Sequence, residues 1–367
     1  MKGCLAKTLV SGALALAVLA GAWIVLERRS TSVLEEARAR WDASGAPQGA
    51  NQVLPPIDAA QDAGPIYTQV ARSWASAGAD KSAHEAQVRE RMHAAAQLSA
   101  CRLWRADMRD LDAQTIAGLA ALTQDCLLPA ADRAQAAGDA DGAWTAIESV
   151  LALAAHLRED PLVASLVLSR VIAAQGFEKL RAFLGVLPLD AAHARQLLAS
   201  VQRLHPEFDV LRALDGERVL VAEPAWESLV GERALLAPWR RLDEKQYLEL
   251  AELAREQLAS KPWEPLAVPE VPEIYPVTRV MSAGFAKLGG AWVLEERHAR
   301  DLAEIALRLA IARAESGRYP DELAELGAHP IEPVSRRGYS YTRDGAGCTL
   351  ALPEGPHSAG TTWSLPR

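Results

Sequence analysis

A run of 19 uncharged residues near the amino terminus, Thr8–Leu26, constrains this chain more than any other feature. A helix rises about 1.5 Å per residue, so a run of this length covers the roughly 30 Å hydrocarbon core of a bilayer. Charged residues stand on both sides of it, with Lys7 before it and Glu27 after it. The run therefore predicts a single-pass transmembrane anchor over 1–27, through which the chain contacts a membrane.

A cleaved signal peptide is the alternative interpretation of this segment. Ala20, Gly21 and Ala22 are small residues of the kind that a signal peptidase cuts after. The apolar run nevertheless continues through Trp23 to Leu26, which makes it longer than the 7–15 residues of a usual signal sequence. We therefore expect the anchor to be retained.

The charges beside the run bear on its orientation in the membrane. Lys2 and Lys7 favour an amino terminus in the cytoplasm, although Arg28 and Arg29 beyond the run weaken this bias. The predicted location is the inner membrane, with the body of the protein in the periplasm.

Composition excludes one class of partner and leaves the cysteines ambiguous. The formal net charge of −8 over 367 residues argues against a nucleic-acid surface, which needs a concentrated basic patch. Cys101 and Cys126 fall on successive predicted helices and could form a disulfide in an oxidising compartment. Buried free thiols are the alternative. The sequence contains no C-x-x-C, so neither a zinc knuckle nor a thioredoxin-type site is indicated.

Helical periodicity dominates residues 66–260. The stripe Ile147, Val150, Leu151, Ala154 and Leu157 follows the spacing of one helix face. Successive helices of this kind predict an irregular array of antiparallel helical hairpins, loosely similar to tetratricopeptide repeats but without a sustained 34-residue period.

Proline-rich and irregular segments divide the rest of the chain. Residues 28–65 are predicted to be a juxtamembrane helix and a linker. Residues 261–276 contain five prolines and predict an extended linker. A small α+β lobe is expected over 277–367, opening with a long helix that is kinked at Gly289-Gly290, buries Leu302, Ile305, Leu309 and Ala312, and turns Glu304 to solvent.

The tail carries the most distinctive motif. Gly317, Arg318, Tyr319 and Pro320 follow the long helix, and Gly317 suits a helix carboxyl cap. A short helix over 321–326 comes next. Residues 337–345 and 348–352, which contain Tyr339 and Tyr341, then alternate around an Asp-Gly turn and predict a β-hairpin.

This arrangement resembles the carboxyl-terminal part of type II secretion major pseudopilins. It resembles still more the tail of a group of membrane-anchored helical proteins of high-GC bacteria. The chain departs from the pseudopilins in two respects: it lacks their prepilin peptidase signal, and 353–358 does not match their acidic calcium-binding loop. The resemblance therefore implies a fold for the tail, with Tyr319 packed under the hairpin, but implies neither fibre assembly nor a metal site.

The search for catalytic residues yields one polar cluster. It consists of His205, Glu207, Asp209, Asp215 and Glu217. A carboxylate and an imidazole at a proline break could act as acid and base. Helix capping and solvated turn charges are the preferred interpretation. The segment Glu295–His298, with Arg300 and Asp301, is expected to be a charged helix face that forms i, i+3 and i+4 pairs.

The sequence as a whole predicts a mainly α protein with no cofactor and no metal site. The expected function is a membrane-anchored extracytoplasmic scaffold or interaction module with protein partners, because helical arrays present broad binding surfaces. Two alternatives stay open. One is an envelope enzyme with an acidic or histidine site between helices, and the other is a pseudopilin-related component of a secretion system.

Overall fold

The computed structural model describes residues 2–47, 49–77, 81–103, 113–230, 236–345, 347–353 and 362–365, with side chains from Val18 onward except at 113, 227, 229 and 230. The protein is mainly helical with a small antiparallel sheet near its carboxyl end, which confirms the predicted fold class in this coarse form. Its α-helices are α1 (Lys2–Ala43), α2 (Ala50–Val53), α3 (Gly64–Ser76), α4 (Lys81–Ala96), α5 (Ala113–Leu122), α6 (Leu128–Ala136), α7 (Ala140–Leu157), α8 (Val163–Leu184), α9 (Ala191–Gln202), α10 (Pro206–Gly216), α11 (Glu223–Val230), α12 (Ala237–Ser260), α13 (Pro276–Phe285) and α14 (Ala291–Ser316). Short π-helical segments, Thr123–Leu127 and Glu217–Ala222, join α5 to α6 and α10 to α11.

The larger hydrophobic core surrounds α7. This helix is apolar on nearly every side, and all of its residues from Ala146 to Leu157 are buried. Apolar side chains of α3–α9, of the second half of α14 and of the sheet pack around it. This packing removes apolar surface from water, which is the main driving force for folding. The first half of the chain and the carboxyl-terminal tail therefore share one core.

A second core joins the end of α1 to α10, α12 and α13. Trp41 from α1 and Tyr247 from α12 are almost completely buried in it, together with Phe285 from α13. Val271, which belongs to the proline-rich segment, is buried in the same core. Side chains on both sides of the proline-rich segment 261–276 therefore pack together. That the parts before and after this segment fold independently remains a prediction.

The predicted long helix over 277–316 is two helices in the structure. Gly290 has φ +129°, a conformation that side chains with a Cβ rarely adopt, and it separates α13 from α14. At the other end, Gly317 has a left-handed φ of 77° and its N–H donates to the carbonyl of Arg313 at 2.8 Å. The carboxyl cap predicted at Gly317 is therefore confirmed, and the kink is a full helix break.

Three short strands form the sheet. Strands β1 (Ser340–Asp344) and β2 (Gly347–Ala351) pair antiparallel around the Asp344-Gly345 turn, which confirms the predicted hairpin. Strand β3 (Thr362–Leu365) pairs with β2 and was not predicted. The predicted helix over 321–326 is a 3₁₀ turn, Leu323–Leu326. Cys348 and Leu350 of β2 are buried in the larger core, so the sheet packs against α14 rather than standing alone.

Tyr319 is buried in the same core as the side chains of the sheet. It is 3% exposed, and its hydroxyl accepts a hydrogen bond from Arg313 at 3.0 Å. We expect Tyr319→Ala to lower the free energy of unfolding by about 2–4 kcal/mol, as large-to-small core changes do. Ile331→Ala, at a position of the tail that is 53% exposed, should change it by less than about 0.5 kcal/mol. Equal losses for the two variants in urea unfolding would contradict this placement.

Helix α1 changes its surroundings along its length. Leu34, Ala37 and Trp41 are buried in the second core, whereas Val18 and Val25 are mostly exposed. Within the described residues, the structure contains no helix with both the length and the apolar character that crossing a membrane requires.

Candidate functional site

A buried arginine at the centre of the protein holds four helices together. Arg158 follows the last residue of α7, and its guanidinium donates to Asp209 of α10 at 2.8 Å and to Glu296 of α14. Its Nε donates to Ser169 of α8 at 2.6 Å, and that hydroxyl donates to the carbonyl of Ala154 at 2.7 Å. Arg158 is only 4% exposed, so this ion cluster is shielded from water. The cluster fixes how α7, α8, α10 and α14 meet.

The two carboxylates compete for one cation. Burial raises the pKa of Asp209, and the charge of Arg158 opposes that rise without cancelling it. Burial likewise raises the pKa of Glu296, with Arg158 lowering it and the neighbouring Asp209 raising it further. The second carboxylate oxygen of Glu296 has no hydrogen-bond partner among the described residues. Both carboxyl groups therefore bind a proton more readily in the protein than they would in water.

Charged residues on successive positions of α14 contact different parts of the chain. Arg297 donates to Glu207 of α10 at 2.6 Å and to Asp301 at 2.8 Å. Asp301 is completely buried and accepts a hydrogen bond from the hydroxyl of Tyr339 at 2.9 Å. The pairing at i, i+4 that was expected on this helix face is present, and α10 and the tail enclose it. Glu304, expected in solvent, is also only 4% exposed.

A histidine–glutamate pair extends this network into the tail. His298 of α14 lies 3.0 Å from Glu332, and both side chains are buried. Burial acts to raise the pKa of Glu332, but hydrogen bonds from Ser335 and His298 lower it to about 2. The carboxylate thus stays charged at neutral pH and ties the loop before β1 to α14.

The polar cluster predicted from the sequence does not converge in one place. Its members are His205, Glu207, Asp209, Asp215 and Glu217. Asp209 and Glu207 contact the two different arginines described above. Asp215 accepts from Arg255 of α12 at 2.7 Å, and Glu217 accepts from the backbone N–H of Val163 at 2.9 Å.

The preferred interpretation of that cluster, capping and solvated charge, needs correction. Asp209 and Asp215 are buried ion-pair partners, 7% and 8% exposed, rather than turn charges in water. His205 stands at the amino-terminal cap of α10 but its side chain makes no capping hydrogen bond. The acids of the cluster therefore join helices to one another.

Among the described residues, three of the surface clefts have volumes of about 370, 430 and 400 Å³. None of these three is lined by any member of the predicted polar cluster. The first lies between α8 and α14, where Arg170 stacks over the ring of Trp292 at 4.4 Å and Glu296 forms part of the wall. The second lies beside Tyr319 and is mostly apolar.

Cys101 and Cys126 are separate, buried free thiols in the structure, so the predicted disulfide is not formed there. Burial raises the pKa of Cys126 to about 12. It also raises the pKa of Cys348 to about 12, against the lowering effect of a hydrogen bond with Tyr341. These thiols are protonated at neutral pH and are poor nucleophiles, since the thiolate is the reactive form.

A buried tyrosine–histidine pair was missed by the sequence reasoning. The ring nitrogen Nε2 of His156 lies 3.0 Å from the carbonyl of Leu98 and must donate to it, so Nδ1 accepts the hydroxyl hydrogen of Tyr67 at 2.8 Å. Both side chains are 0% exposed. A histidine in the apolar stripe of α7 was the available signal, although no second histidine at helical spacing marked it.

Within the part of the chain that the structure describes, one group of side chains has the spacing of a metal site. Asp141, Asp190 and His193 place ligand atoms within 4.8 Å of one another, and both acids are exposed. Asp190 also accepts from the backbone N–H groups of Ala192 and His193, which caps α9. Capping explains the position of Asp190 without an ion.

Comparison of the chain with protein-family models, with curated proteins and with solved structures found no match.

Proposed function

We propose that this protein is a helical scaffold or protein-interaction module that α1 holds at the inner membrane, with its body in the periplasm. The observation that carries the proposal is the change of exposure along α1. Val18, Leu19, Ile24 and Val25 are 52–66% exposed, although large apolar side chains of soluble helices normally face a core. The uncharged run Thr8–Leu26 supplies the length that a hydrocarbon core demands.

The same helix is firmly joined to the body, which is what an anchor requires. Arg38 donates to Glu244 of α12 at 2.8 Å, and Arg40 contacts Glu249 at 3.2 Å. Trp41, the residue after Arg40, is buried in the second core. A lipid-embedded α1 would therefore hold the helical-hairpin array at a fixed distance from the membrane.

Fractionation of the full-length chain tests the anchor. We expect the protein in the membrane pellet after a carbonate wash, and we expect Leu19→Arg with Val25→Arg to release it, because each arginine costs about 3 kcal/mol in hydrocarbon. The matched control, Ser32→Arg with Ala39→Arg, alters exposed positions of the same helix beyond the run and should stay in the pellet. A wild-type chain that carbonate extracts, or that begins at Trp23, would contradict the proposal.

The interaction role has its own test. The detergent-solubilised full-length protein should migrate on native gels in a complex heavier than one chain. A monomer under all solubilisation conditions would remove the scaffold role while leaving the anchor intact.

The side of the membrane on which the body lies is tested separately. A phosphatase fused after the last residue should be active only if the body is periplasmic.

A pseudopilin-related role in a secretion system is the second candidate. The observation that favours it is the packing of the sheet against α14, including the hydrogen bond from Tyr339 to Asp301 at 2.9 Å. Deleting the gene should then block export of secreted enzymes, and Tyr339→Phe, which removes the hydrogen bond between the tail and α14, should weaken export. Normal export in the deletion strain would exclude this role.

A further inference from the structure

The start of α12 lies beside the end of the apolar run of α1. The rings of Trp23 and Trp239 are 5.9 Å apart, with 32° between their planes. One turn further along α1, Glu27 accepts a hydrogen bond from Arg241 at 2.5 Å. These two contacts place the first turn of α12 next to the point where the uncharged run ends.

The two helices run in the same direction. Contacts between them rise together in residue number, from Trp23 with Trp239 to Arg38 with Glu244. The rest of α12 therefore extends away from the apolar run, and its first turn is the part nearest to a membrane in which α1 is embedded.

Apolar side chains at this first turn are turned outward. Leu236 is 40% exposed and Trp239 is 44% exposed, although the same helix buries Tyr247 and Leu250. Tryptophan concentrates at the level of lipid headgroups, because its ring has both an apolar body and a polar N–H.

Basic side chains lie at the same level. Arg28 and Arg29 are exposed and follow Trp23 by about 8–9 Å along the helix, and Arg240 is part of the first turn of α12. Arginines in this position match the phosphates of a negatively charged bilayer surface, because opposite charges attract across the interface. Apolar and basic side chains side by side are the chemistry of a bilayer interface.

From this combination we infer a second membrane contact, in which the first turn of α12 inserts Leu236 and Trp239 into the interfacial layer while Arg28, Arg29 and Arg240 contact lipid phosphates. The inference rests on the proposed anchoring by α1. It adds that the body does not hang freely from α1 but lies against the membrane with one defined face.

Nitroxide labels on the full-length chain, in vesicles of phosphatidylethanolamine and phosphatidylglycerol, can test this contact. Cys4→Ser removes the cysteine of the anchor, and Cys101, Cys126 and Cys348 are buried. Leu236→Cys provides the test position, and Leu253→Cys provides a control on the same helix, about 25 Å away and also exposed.

The label at 236 should be relaxed by oxygen, which partitions into lipid, several-fold more than by a water-soluble nickel chelate. The label at 253 should show the opposite preference. Adding Trp239→Glu should move the label at 236 toward the behaviour of the control, while the protein remains resistant to carbonate.

Two results would overturn the second contact. Equal access of the nickel chelate to 236 and 253, in a chain that stays in the membrane pellet, would mean that the first turn of α12 lies in water. Protection of 236 from both reagents would mean that protein, rather than lipid, covers this surface. Loss of the chain from the pellet would instead reject the anchor itself, so the failures of the two proposals are distinguishable.

Discussion

Replacing Arg158 with methionine is expected to lower the free energy of unfolding by about 3–5 kcal/mol. The change leaves Asp209 and Glu296 buried, 7% exposed each, without the cation that both contact. An uncompensated buried charge is far more costly than the loss of one hydrogen bond, because the carboxylates cannot recover their hydration. Urea unfolding at pH 7, followed by circular dichroism, measures the loss.

Two further variants show whether the loss of stability comes from the buried charges or from the loss of any arginine. Arg195→Met removes a pair with Glu315 in which both side chains are more than half exposed, and it should cost at most about 1 kcal/mol. Combining Arg158→Met with Asp209→Leu and Glu296→Met makes the site apolar and should restore most of the lost stability. A loss from Arg158→Met no larger than that from Arg195→Met would refute the buried-cluster assignment.

Local sequence chemistry was sufficient for much of the fold. The cap at Gly317 and the hairpin around Asp344-Gly345 follow from the backbone preferences of those residues. The position Gly289-Gly290 was also marked, but as a kink rather than as the full break that the structure has. The third strand was missed because Thr362–Leu365 is short, and its pairing with β2 is what gives it a regular structure.

The buried charges could not be predicted in the same way. Arg158 and Glu296 are 138 positions apart, and nothing in either neighbourhood marks the other as its partner. A charged segment such as Glu295–His298 normally lies in water, so burial was the less probable interpretation from sequence alone. The partners of Asp209, Asp215 and Glu207 lie on other helices, so they depend on how the helices pack and could not be read from the sequence.

The same limit applies to Tyr67 and His156, which are 89 positions apart and form a closed pair inside the larger core. Burial lowers the pKa of His156 to about 4, with the positive charge of Arg203 adding to the effect and a hydrogen bond to Leu98 opposing it. The neutral ring also fits the hydrogen bonds, since Nδ1 accepts from Tyr67 and a proton there would displace that donor.

This depressed pKa predicts a stability that depends on pH. An unfolded histidine titrates near pH 6.5, so between about pH 6.5 and pH 4 the unfolded chain binds a proton that folded His156 does not. The contribution of His156 is therefore complete above about pH 6.5 and falls by about 3 kcal/mol as the pH drops to 4. His156→Gln, which keeps a donor and an acceptor, should flatten that part of the curve of unfolding free energy against pH. An equal slope in His156→Gln and in the wild-type protein would show that other groups cause the loss at low pH, and that the imidazole is not held neutral by its burial.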